Sequence, residues 1–138
     1  MPRIMLKNLN IFSLFFLLGL LTIALSSYEE ATPNFYTEDQ ITGKWFAKEI
    51  DNSIIEVSKN SNQKWQGKII KSDNKETIGK TIFLAEYQSK DKNYTGTLYK
   101  PDGDIEVAAT LTLLSSQKLK VVGKKFFMSK TFYFTKTN

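Results

Sequence analysis

From Gly43 to the end of the chain, apolar and polar residues alternate in short runs separated by turn-forming residues, which is the pattern of half-buried β-strands. The run 104–114 is the longest. Ile105, Val107, Ala109, Leu111 and Leu113 fall on one face, and Asp104, Glu106, Ala108, Thr110 and Thr112 on the other. The same alternation predicts strands over 43–50, 53–59, 63–71, 81–88, 93–100, 117–123 and 131–136. Between them stand turn formers such as Asp51-Asn52, Asn60-Ser61-Asn62 and Pro101-Asp102-Gly103, where proline presets φ and glycine accepts a positive one. The longest connection, 72–80, reads as a polar loop.

Eight strands joined by short loops must pair sequentially and antiparallel, because a parallel pair needs a long crossover. Rolling the sheet shut hides its two edges. The expected fold is therefore an all-β, eight-stranded, antiparallel up-and-down barrel over 41–138. Eight strands is also the size at which a barrel interior either just fills with side chains or admits one small ligand.

Ahead of the first strand, Thr37-Glu38-Asp39-Gln40 has the order of a capping box, and its acidic residues suit the start of a helix. Gly43 limits that helix to a turn or two, so 27–40 reads as an N-terminal arm with a short helical turn. Residues 1–26 have the three parts of a signal peptide. Arg3 and Lys7 precede an apolar stretch from Ile11 to Leu25, and Ala24-Leu25-Ser26 fits a cleavage site. The rival reading is a retained anchor, since the uncharged run 8–28 approaches the length that spans a bilayer. Cleavage near Ser26 or Ser27 is the expectation, giving a periplasmic or secreted protein with no stable membrane span.

The chain of 138 residues contains neither histidine nor cysteine. That removes Ser-His and Cys-His nucleophilic sites, thiolate metal sites and the commonest general base. No catalytic residue, metal ligand or cofactor is assigned, and an enzyme is not expected. The formal charge is +5, or +3 without Arg3 and Lys7, and only Lys124-Lys125 are adjacent lysines. This reads as a solvated basic surface rather than a nucleic-acid patch.

By alternation, Phe83, Tyr94, Leu98, Val107, Leu111 and Phe132 line the interior, either filling it or bounding a ligand space. Trp45 and Trp65 could stack on a ligand but are assigned to structure, closing the barrel floor, and Gly43 to a backbone turn that a side chain would obstruct. Asp104 and Glu106, opposite the apolar stripe, belong in solvent. Glu56, flanked by Ile55 and Val57, would orient a ligand if it pointed inward beside a partner. Phe126-Phe127-Met128 breaks the alternation. It reads as a bulge that tucks all three residues into the core, the other reading being a rim loop whose apolar tip caps the barrel mouth or touches a membrane or partner.

The motif series adds a comparison. Ile41-x-Gly43-x-Trp45 is followed by Ile54-Ile55-Glu56-Val57, Trp65-x-Gly67-Lys68-Ile69 and Gly79-x-x-Ile82-Phe83-Leu84. Tyr94-x-Gly96-x-Leu98-Tyr99-x-Pro101-x-Gly103 and Leu119-x-Val121-x-Gly123 complete it. Over residues 41–136 the chain resembles the secreted bacterial family known as domain-of-unknown-function 2147. The resemblance implies a lipocalin-like barrel whose biochemical role is unassigned. The chain departs from that family in its short, cysteine-free 72–80 loop and in ending on Phe132-Tyr133-Phe134-Thr135-Lys136 rather than on a tryptophan-bearing strand.

Two functions follow as expectations. The first is a non-enzymatic barrel that binds a small apolar or amphipathic molecule, such as a fatty acid. The alternative is a cell-envelope interaction module that has a filled barrel and acts through its surface.

Overall fold

The computed structural model describes residues 36–138; the signal-like segment and most of the arm, 1–35, lie outside the described residues. Gly43, at φ +127°, opens β1 (Gly43–Ala47) in a conformation that side-chain-bearing residues avoid. The other strands are β2 (Ser53–Lys59), β3 (Trp65–Lys71), β4 (Thr81–Gln88), β5 (Asn93–Tyr99), β6 (Glu106–Ser115), β7 (Lys118–Lys125) and β8 (Met128–Thr137). Each strand pairs antiparallel with the next, and β1 pairs with β8, so the sheet closes into a barrel in simple up-and-down order.

This path gives the barrel two distinct ends. A four-residue 3-10 turn (Glu38–Ile41) lies at the floor, with the β2–β3, β4–β5 and β6–β7 connections. The β1–β2, β3–β4, β5–β6 and β7–β8 connections lie at the mouth. Alternation sorts the side chains: Trp45, Ile55, Val57, Ile69, Phe83, Leu111, Leu119, Val121 and Phe134 are fully or almost fully buried in a single core. Gly67 is paired with Phe83, whose ring occupies the space where a Cβ would stand.

Several expected boundaries move. β1 ends at Ala47 rather than Ile50, because the chain coils there. Ile50 N–H donates to Ala47 O at 3.2 Å, and Asp51 and Asn52 both take positive φ. The loop after β3 is not wholly solvated. It contains a second 3-10 turn (Lys75–Thr77) and the buried Ser72 and Thr77. Ile105 precedes β6 and is 48% exposed, so the inward row begins at Val107.

The largest correction concerns Phe126-Phe127-Met128. These residues are not tucked into the core: Phe126 is 90%, Phe127 96% and Met128 69% exposed. Lys125 pairs with Met128, leaving Phe126 and Phe127 as a two-residue hairpin tip with Phe126 at φ +56°. Both flanking strands are longer than expected as a result.

Candidate functional site

Three aromatic side chains seal the floor against the Glu38–Ile41 turn. Trp45 Nε1–H donates to Ile41 O at 2.8 Å, Tyr94 O–H donates to Glu38 O at 2.5 Å, and Trp65 Nε1–H donates to Glu38 Oε1 at 3.0 Å. Gln40 Oε1 in turn accepts from Thr37 N–H at 3.2 Å and fixes the turn's entry. Trp65 meets Tyr94 edge-on at 6.2 Å, and Lys59 lies over the Trp65 ring while pairing with Glu38 at 3.2 Å. The Trp65 hydrogen bond and then Lys59 hold the Glu38 carboxyl below the usual range, against a partial desolvation. Burial pushes the Tyr94 phenol well up, with the nearby Tyr87, Glu38 and Asp39 adding to it. This end of the barrel is occupied by the protein's own side chains.

Lys136 completes the seam between β1 and β8. It donates from Nζ to Thr42 O and stands 4.6 Å from the Trp45 ring centroid, and desolvation lowers its pKa. The seam itself is short: β1 pairs with β8 only from Lys44 to Phe46, against Thr135–Thr137. Above it, β8 continues toward the mouth beyond the end of β1.

A cleft of about 300 Å³ opens at the mouth, bounded by the β1–β2 connection, by β5, β6 and their connection, and by β8. Leu98, Val107 and Phe132 form its apolar wall, and Ile50 and Ile105 its lips. Lys130 falls on the same face of β8 as Phe132 and Phe134, lines the cleft, and lies 5.0 Å from the Phe132 ring. Lys100 also lines it but pairs with Asp102 at 3.7 Å. Across the rim, hydrogen bonds fix the β1–β2 turn. Ser53 Oγ–H donates to Ile50 O, Ser72 Oγ lies 3.0 Å from Ser53 Oγ, and Asn52 Nδ2 donates to Asp73 Oδ2 at 2.7 Å. One wall of the cleft is thereby held in place.

The six residues expected to line the interior divide into two groups. Phe83, Tyr94 and Leu111 are fully or almost fully buried core. Leu98, Val107 and Phe132 face the cleft. Glu56 joins neither group. It stands exposed on the outer face, in register with Lys44 and Lys68, because Ser53, Ile55 and Val57 take the inward positions of β2. Lys130 was not named from sequence, Glu38 entered only through the capping box, and Lys136 only as the end of the last strand. The signal for Lys130 was its spacing of two from Phe132.

No family model, curated protein or solved structure matches this chain. Among the described residues no group of three acidic side chains is placed to hold a metal ion. The arrangement offers apolar contact inside a charged rim, to which Lys100 and Lys130 contribute cations and Glu49, Asp51 and Asp102 carboxylates.

Proposed function

We propose that this protein is a secreted or periplasmic, non-enzymatic, lipocalin-like barrel that holds a small amphipathic molecule in its mouth cleft. The apolar part of the ligand lies against Leu98, Val107 and Phe132, and its anionic head, a carboxylate or phosphate, meets Lys130. The observation that carries this reading is the order of side chains on the inner face of β8: buried Phe134, half-buried Phe132, then Lys130 at the opening. A chain end in the apolar part and a charge at the lip would satisfy all three. The cleft sits at the lower end of the size range of ligand sites, roughly 300–1,000 Å³, which favours a short-chain molecule over a bulky one. The signal-like N-terminus supports a location outside the cytoplasm, and the up-and-down barrel with Trp45 at its floor is compatible with a lipocalin relative.

Native mass spectrometry of the purified protein, together with displacement of a fluorescent fatty-acid analogue, tests this. The parent should bind the probe and release it to decanoate. Val107→Trp, which would occupy the cleft, should lose binding. Lys130→Met, which keeps the apolar walls, should weaken decanoate more than decanol. A parent that binds neither the probe nor a co-purified passenger would refute the proposal.

A further inference from the structure

The hairpin tip between β7 and β8 is at odds with ordinary turn chemistry. Two-residue hairpin loops with positive φ at the first position favour glycine there, yet this loop is Phe126-Phe127 with Phe126 at φ +56°. Both rings stand in solvent. Folding therefore gains nothing from phenylalanine at these positions.

Two further observations bear on what the tip meets. Apolar exposure is confined to one end of the barrel's connections. Among the described residues, the large apolar side chains exposed in connections are Ile78, Ile105, Phe126 and Phe127, and all four belong to mouth-side connections. Charge is divided along the chain as well: residues 107–138 contain six lysines and no acidic residue. Lys124 and Lys125 precede the tip directly.

We infer that the β7–β8 tip inserts into the surface of an anionic lipid bilayer, with Phe126, Phe127 and Met128 entering the headgroup–acyl boundary. Apolar groups at such boundaries reach depths of about 5–10 Å. Lys125 pairs with Met128 and stands level with it, and Lys124 lies one strand residue, about 3.4 Å, further out; the flexible stems of both reach the phosphates. A protein partner fits less well. A specific interface buries about 800 Å² on each side, and a two-residue convex tip presents far less. A bilayer requires no complementary groove. This inference is independent of what the mouth cleft holds.

The test uses the full chain carrying Phe127→Trp as a reporter at the tip, since Trp45 and Trp65 are buried and leave a constant background. Phosphatidylcholine vesicles containing phosphatidylglycerol should shift the reporter's emission to the blue, and brominated acyl chains should quench it. Raised salt should weaken the effect. Lys124→Gln and Lys125→Gln should each reduce affinity about fivefold. The same shift with pure phosphatidylcholine would overturn the electrostatic part of the inference. No shift with anionic vesicles, or a shift that follows protein concentration without lipid, would overturn it altogether; the last would assign the tip to a second copy of the chain.

Discussion

Tyr94→Phe isolates the seal between the barrel and its N-terminal turn. The ring stays in the core, and only the hydroxyl that donates to Glu38 O at 2.5 Å is removed. Tyr94 is almost wholly buried, so its ring loses no packing and the cost falls on the carbonyl left without a donor. Such a loss costs about 1–3 kcal/mol when water cannot replace the donor. Glu38 lies at the edge of the floor, where some water reaches, which places the expected cost in the lower half, about 1–2 kcal/mol. For a domain of this size that lowers Tm by roughly 4–10 °C. Thermal and urea unfolding followed by circular dichroism should show the drop with an unchanged dependence on urea. The phenol provides a second signature. Its folded pKa is raised above the unfolded value of about 10, so its contribution is intact below that pH and is lost as pH rises through the folded value. The variant should lack that alkaline loss. A variant as stable as the parent at neutral pH, with the same alkaline profile, would refute the seal.

Other perturbations have distinct expected outcomes. Glu38 titrates below its usual value in the folded state, so its contribution is present above about pH 4.3 and fades as pH falls through the lower folded value; Glu38→Gln should flatten stability across that acid window, as read by urea midpoints. Phe126→Gly should stabilise the fold by about 0.5–1 kcal/mol, since it releases a left-handed conformation costing about 1–2 kcal/mol against glycine's own entropy of about 0.5–1 kcal/mol. A lower midpoint would contradict the hairpin geometry. Gly67→Ala would place a methyl group 2.2 Å from Phe83 Cε1, and overpacking of this kind costs about 1–3 kcal/mol in denaturant melts.

The barrel was legible in the chain because alternation survives wherever one face is buried. The 104–114 run lost only Ile105 from its inward row, and Trp45 and Trp65 close the floor through their ring N–H groups. Boundaries failed where backbone conformation, not pattern, decided them. Asp51 and Asn52 end the coil after β1 at positive φ, and Phe126 turns a hairpin without any of the residues that announce one. Glu56 was ambiguous because Ile54 and Ile55 are adjacent apolar residues and a register irregularity falls between them; only the register with Lys44 and Lys68 settles the face. The division of the interior into a filled floor and an open mouth was not legible. It depends on how the β1–β2 and β5–β6 connections and β8 come together at the mouth, a property of the closed barrel rather than of any local stretch.

A ligand held as proposed enters at the mouth and stops above the filled floor. Methyl-resolved NMR titration with decanoate measures this directly. Shifts should concentrate at Leu98, Val107 and Ile50, with Leu111, Leu119 and Ile41 unmoved. Shifts at Leu111 and Ile41, or none anywhere, would contradict the account.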